Sequence, residues 1–279
     1  MEHFVLNNGV MMPKIGLGVY NIKDNNEDAV LWALNNGYRH LDTAAAYRNE
    51  ELIASAIRKS GVNRNDLFIT TKVWSTDLGR KTRQAFETSL QKLQTDYIDL
   101  YLIHWPAKNY LESWHLMESL YKEGKIRAIG VSNFEQHHLE KVMMQGTIIP
   151  AVNQIQTNPL LQQGALHEFM GKHGIQHVAW SPFGHGNKQM LAHPVLTEIA
   201  AKYDKTAAQV ILRWNLGRDI AVIPKSVTPA RLKQNMEVFD FALSDEEMNQ
   251  ICALEQNKRG FVDPQNKFYL WTTRFIPLS

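Results

Sequence analysis

The sequence predicts an α/β chain closed into a single (β/α)8 TIM barrel, with an N-terminal β-hairpin and extra helices. Three observations lead there. Eight short β-rich runs alternate with longer stretches of helical periodicity, the pattern of a parallel sheet covered by helices. No linker, low-complexity stretch or change of charge interrupts the alternation, which favours the closed barrel over an open doubly wound sheet. The length, 279 residues, suits a barrel folding as one domain across 1–279.

The hairpin is expected to pair 4–6 with 10–12 across Asn7-Asn8-Gly9, with Asn8-Gly9 suited to a two-residue turn of positive φ at both positions. The first barrel strand is placed at 14–17 and its helix at 27–36, ended by Gly37. The second strand, 39–42, leads to a helix at 49–60 closed by Gly61. The next strand-helix pairs are 67–73 with 81–93, 98–104 with 111–123, 126–131 with 135–144, and 151–155 with 163–173. The seventh strand, 176–180, is followed by helices at 193–203 and 206–217 with no strand between them. The eighth strand is 220–223, with a helix at 229–236. A last helix at 244–254 opens on Ser244-Asp245-Glu246-Glu247, a capping box. Beyond it, 255–279 carries Phe261, Phe268, Tyr269, Trp271 and Phe275 without clear periodicity. Such a tail either packs on the barrel or closes a site.

Thirty basic and 28 acidic residues leave a formal charge of +2, too weak a field to predict a nucleic-acid or membrane partner. No apolar run approaches the ~20 residues that span a bilayer. The start, Met1-Glu2-His3-Phe4-Val5-Leu6, lacks the basic segment and apolar run of a signal peptide. A single cysteine, Cys252, excludes an internal disulfide framework and a Cys-based zinc cluster. His167-Glu168 has no second histidine at metalloprotease spacing, and Gly16-Leu17-Gly18 does not continue into the dinucleotide fingerprint of an open sheet. The expectation is a metal-free, soluble, cytoplasmic protein, monomeric by default.

In a barrel, chemistry is done at the C-terminal ends of the strands. The apolar runs end in Asp42, Lys72, His104, Ser132-Asn133, Asn153-Gln154, Trp180-Ser181 and Lys225-Ser226, and the loop after the second strand adds Tyr47. Singly, each has a structural account: a capping carboxylate, a solvated edge lysine, a satisfied core histidine. Together they converge on one mouth. Lys72 and Asp42 on adjacent strands, about 5 Å apart at the backbone, would make a tolerable buried ion pair. A tyrosine beside that ammonium is expected to be acidified and so to serve as a general acid. His104 would orient a carbonyl oxygen. The set suits protonating an oxygen as negative charge develops on it, and the missing electron source points to a cofactor. A lyase forming a Schiff base on Lys72 remains open at this point.

At these residues the sequence resembles the aldo-keto reductases, nearest to prokaryotic-type 2,5-diketo-gluconate reductase-like members. The resemblance rests on Gly37-Tyr38-Arg39-His40-Leu41-Asp42-Thr43-Ala44 with Tyr47 and Asn49-Glu50, on Thr70-Thr71-Lys72-Val73-Trp74, and on the run from Asp96 to His104-Trp105-Pro106. It continues through Gly130-Val131-Ser132-Asn133-Phe134, Val152-Asn153-Gln154 and Ile223-Pro224-Lys225-Ser226 with Arg231 and Gln234-Asn235. It implies NADPH/NADP+ as cofactor and reduction of aldehydes or ketones, small carbonyls or keto-sugars, to alcohols. Hydride would pass from the nicotinamide to the carbonyl carbon as Tyr47, assisted by Lys72 and Asp42, protonates the oxygen. By the same resemblance Ser132, Asn133 and Gln154 hold the carboxamide, and Trp180, followed by Ser181, offers a flat face to the nicotinamide. Lys225, Ser226, Arg231, Gln234 and Asn235 would bind the adenosine-phosphate end, with Lys225 and Arg231 on the 2′-phosphate. Tyr20, Trp74 and Trp105 would wall the substrate pocket with His104. A slow nucleotide-sensing subunit is the family's non-enzymatic alternative.

Overall fold

A computed structural model of the chain describes residues 2–259, 263–264 and 266–273. Of the aromatic residues noted in the tail, Phe261 and Phe275 lie outside the described residues, as does the side chain of Tyr269. Two short antiparallel strands, β1 (His3–Val5) and β2 (Met11–Pro13), form the expected hairpin. Its turn differs from the expectation. Leu6 N–H donates to Val10 O at 2.9 Å and Gly9 N–H to Leu6 O at 2.8 Å, so three residues make the loop and only Gly9, at φ +83°, is left-handed. One left-handed residue after a tight turn matches the strand twist, and the Asn8 amide instead donates to Arg127 O at 2.9 Å.

Eight parallel strands follow: β3 (Leu17–Gly18), β4 (His40–Asp42), β5 (Phe68–Val73), β6 (Ile98–Ile103), β7 (Ile126–Ser132), β8 (Val152–Gln156), β9 (Gln176–Trp180) and β10 (Ala221–Val222). Each pairs with its sequence neighbour. A parallel bridge between Ile15 and Val222 joins the first strand to the last. Gly16 N–H donates to Val222 O at 2.9 Å and Gly18 N–H to Pro224 O at 3.2 Å, extending that seam upward. The (β/α)8 expectation is therefore met, with most boundaries shifted by one or two residues as fraying ends allow.

The helices between strands are α1 (Glu27–Asn35), α2 (Glu50–Ser60), α3 (Thr82–Leu93), α4 (Tyr110–Lys122), α5 (Gln136–Gln145) and α6 (Gly164–Lys172). After β9 come a short α7 (Lys188–Leu191), α8 (Pro194–Lys202) and α9 (Ala207–Gly217). The expected α10 (Pro229–Met236) and α11 (Asp245–Cys252) follow, the latter with the Ser244–Glu247 capping box in place. α12 (Lys267–Thr272) lies in the tail that lacked periodicity. Phe268 and Trp271 stack there with centroids 6.0 Å apart, both largely exposed.

Two apolar layers hold the barrel. Leu100, Leu102, Ala128, Val152 and Val178 fill its interior, with Leu6 and Met12 of the hairpin segment plugging the lower end. Outward residues such as Ile69, Val73, Tyr101 and Ile129 pack under the helices. The alternation follows the two-residue period of a strand. Near the N-terminal rim, opposite the strand ends that carry Asp42 and Lys72, buried Asp99 is held by Arg64 at 2.7 Å and Arg127 at 2.8 Å.

The seam has no spare room. A Cβ on Gly18 would lie 2.6 Å from Ile223 O. Gly18→Ala is expected to cost about 1–3 kcal/mol through forced backbone movement. Urea unfolding checks this, and an unchanged midpoint would mean that the seam relaxes freely.

Candidate active site

The strands carry the polar residues to the upper rim by register. Asp42 on β4 stands opposite Thr70 on β5, so Lys72 lies one pleat above Asp42 instead of level with it. The long lysine stem spans that offset. Lys72 Nζ donates to Asp42 Oδ1 at 2.6 Å and to Thr43 O at 2.8 Å. Both side chains are buried, which removes the readings of Lys72 as a solvated edge lysine and of Asp42 as a surface cap. Gln154, from β8, donates its Nε2 hydrogen to Asp42 Oδ2 at 2.6 Å. Each carboxylate oxygen thus has a donor, as a buried charge requires.

Tyr47 ends a one-turn helix, Ala45–Tyr47, and its N–H donates to Ala44 O at 2.9 Å. Lys72 Nζ sits 5.1 Å from the centre of its ring. His104, one residue past β6, meets Tyr47 edge-on at 5.7 Å and Trp74 at 5.1 Å, and stacks with Trp105 at 6.5 Å. Tyr20 also packs edge-on against Tyr47, at 5.1 Å, and is half exposed at the mouth. The four expected catalytic residues and the three expected pocket aromatics therefore form one contiguous group.

Burial sets the charges. His104 is held well below the usual imidazole range, first by burial and then by the Lys72 charge, so its ring is neutral. Lys72 is pushed down by burial, with Asp42 opposing that shift. The expected acidification of Tyr47 is reversed: its phenol is raised well above the usual range, first by burial and then by neighbouring Asp42 and Tyr20. Lys72 Nζ turns its hydrogen bonds onto Asp42 and the Thr43 carbonyl, and burial is the dominant influence on the phenol. Tyr47 accordingly keeps its proton at neutral pH.

Beside this group, Ser132 Oγ donates to Gln154 O at 2.8 Å, and Asn133 Nδ2 donates to His104 O at 3.0 Å. Trp180 Nε1 donates to Asn133 Oδ1 at 3.0 Å, leaving the indole partly exposed. Ser181, at φ +52°, accepts the His185 N–H on its Oγ at 2.8 Å. The remaining cluster follows β10. Lys225 and Arg231 are exposed, Ser226 is buried and accepts the Thr228 N–H at 3.2 Å, Gln234 is partly buried and Asn235 is buried. This cluster shares the rim of the Asp42, Lys72 and Tyr47 group because Pro224 pairs with Gly18, which stands opposite Asp42.

Sequence reasoning missed the supports. Asn49 accepts from Thr43 Oγ1 at 2.8 Å and donates to Val19 O at 2.8 Å and Ile22 O at 3.2 Å, tying the loop of Tyr20 to the end of β4. The run Tyr47-Arg48-Asn49-Glu50 was visible, but the direction of that amide was not. Nothing in a linear pattern indicates the bond from Gln154 to Asp42 across the barrel. Among the described residues, no three His, Cys, Asp or Glu side chains are grouped to hold a metal ion, and no helix is long and apolar enough to cross a membrane.

The sequence profile of the Aldo/keto reductase family matches residues 6–256. The chain is 49% identical over 268 residues to the glyoxal reductase of Bacillus subtilis, covering 95% of this chain and 96% of that one. It is 46% identical over 265 residues to the methylglyoxal reductase DkgA of Escherichia coli, covering 93% and 95%. Among solved structures, an aldo-keto reductase from a Medee basin deep-sea metagenome library superposes with a TM-score of 0.92 at 47% identity, covering 94% of this chain and 98% of that chain. An aldo-keto reductase complexed with NADPH superposes with a TM-score of 0.89 at 33% identity, covering 93% and 89%.

Proposed function

The chain belongs to the aldo/keto reductase family, and from that premise we propose that it reduces a small aldehyde or ketone with NADPH, Tyr47 supplying the proton. The observation that carries this reading is the buried Lys72–Asp42 pair beneath Tyr47, with neutral His104 beside the phenol. The relatives named for glyoxal and methylglyoxal reduction make small dicarbonyls the first substrates to test; keto-sugars come second.

The residues present fit the dinucleotide. Trp180 presents a partly exposed indole fixed through Nε1 to Asn133, whose neighbour Ser132 is bonded to Gln154 on the next strand. Exposed Lys225 and Arg231 flank the start of α10, where a phosphate gains both their charge and the helix dipole. When bound, NADPH supplies the hydride.

The chain's own groups do the rest. His104 directs a ring N–H at the carbonyl oxygen and so fixes its direction. Trp74, Trp105 and Tyr20 wall the carbon side and limit water. As charge gathers on the oxygen its basicity climbs from that of a carbonyl toward that of an alkoxide, and the Tyr47 proton moves onto it. Lys72 then faces the phenolate and stabilises it, while Asp42 and Thr43 hold the ammonium in place. The reading keeps the expectation of a cytoplasmic monomer, which gel filtration of the purified chain and localisation in cells would test.

NADPH consumption across glyoxal, methylglyoxal, simple aldehydes, ketones and keto-sugars tests the reading. Turnover of small dicarbonyls supports it; tight NADPH binding with no turnover of any carbonyl would favour the sensing role. Replacing Lys225 or Arg231 by alanine is expected to weaken NADPH by about tenfold while leaving NADH nearly unchanged, the worth of one charge-assisted contact. Equal losses for both nucleotides, measured by fluorescence titration, would remove these residues from the 2′-phosphate.

A further inference from the structure

We propose that Gln154 is a positioning residue for the proton-donating pair: its side-chain N–H holds Asp42 Oδ2 and so turns Oδ1 onto Lys72. This rests on Tyr47 being the proton donor.

The bond is not a contact between neighbouring strands. Gln154 lies on β8 and Asp42 on β4, with β7, β6 and β5 between them in the sheet, so the amide crosses the barrel interior. Both ends are anchored. The Gln154 carbonyl accepts Ser132 Oγ at 2.8 Å and Asn133 N–H at 2.9 Å, which fixes where its side chain starts. Asp42 and Gln154 are almost wholly buried, and among the described residues no other donor reaches Asp42 Oδ2.

Without that donor the carboxylate has two outlets. It can rotate to place both oxygens on the ammonium, drawing Lys72 from the Thr43 carbonyl, or it can take up a proton. A hydrogen bond to the charged form of a carboxyl group favours that form, so losing it makes protonation easier. Both outlets change the charge beside Tyr47. The bond also commits the nitrogen of Gln154, leaving Oε1 as the atom it can turn to an amide of the dinucleotide.

The test combines Gln154→Met, Asp42→Asn and the double variant, with Gln154→Glu as a second replacement of nearly the same shape. For each, kcat is followed against pH, and NADPH affinity is measured separately by tryptophan fluorescence. Gln154→Met is expected to lower kcat about tenfold and move the acidic limb upward by about one pH unit, the size of one hydrogen bond to a charged group. Gln154→Glu is expected to move that limb further, because two carboxylates then compete for one proton. In the Asp42→Asn background the further loss from Gln154→Met should largely disappear. Unmoved acidic limbs in both Gln154 variants, or losses that simply multiply, would overturn the proposal. So would weaker NADPH binding with an unchanged pH profile, which would leave Gln154 as a nucleotide contact alone. If Gln154→Met fails to fold, the limb in Gln154→Glu decides. Full activity of Tyr47→Phe would instead overturn the reading beneath it.

Discussion

Tyr47→Phe is expected to lower kcat for carbonyl reduction by about 10²- to 10⁴-fold, the usual worth of a positioned general acid, while NADPH affinity changes little. The substitution removes one oxygen and leaves the ring that packs against Tyr20 and His104. The loss should therefore fall on the chemical step. Single-turnover measurements with saturating nucleotide separate it from binding and product release. The raised phenol pKa adds a pH signature: the wild-type reductive rate should show no alkaline limb from Tyr47 through the ordinary phenol range. Unchanged turnover in Tyr47→Phe would remove the residue from the mechanism.

Asp42→Ala is expected to cost about 3–5 kcal/mol of folding stability, in addition to activity, because it leaves the Lys72 ammonium buried without its counter-charge. Its pH dependence has a definite sign. Burial already lowers the folded-state pKa of Lys72 below its ordinary value, and Asp42 opposes that shift. Removing Asp42 lowers it further. Between the folded and unfolded pKa values the unfolded chain then binds more protons, so the stability of the variant should rise with pH through that window. Urea unfolding at neutral and alkaline pH measures this. A loss that does not shrink as pH rises would mean that the ammonium is not the source of the damage.

Much of the fold was legible because strands and helices are announced locally. Asp42, Lys72 and His104 were visible as polar ends of apolar runs, since a barrel strand is apolar where it packs and polar where it reaches the rim. The Ser244 capping box was likewise readable from four adjacent residues. Other features depended on distant partners. The hairpin turn was expected to use Asn8 and Gly9 alike, but Asn8 is drawn to the Arg127 carbonyl. The short α7 and the tail helix α12 escaped because neither has enough turns to set up a period.

The sequence by itself determined the barrel, its eight units and the identity of the residues at its mouth, because hydrophobic periodicity and strand-end polarity are properties of neighbouring positions. Only the tertiary structure decided the electrostatics. It set Lys72 one pleat above Asp42, brought Gln154 to Asp42 from the far side of the barrel, and reversed the expected shift of the Tyr47 phenol. The physical reason is that a charge in a barrel interior is governed by burial and by every group around it, and those groups are brought together by strand register, from positions far apart in the chain.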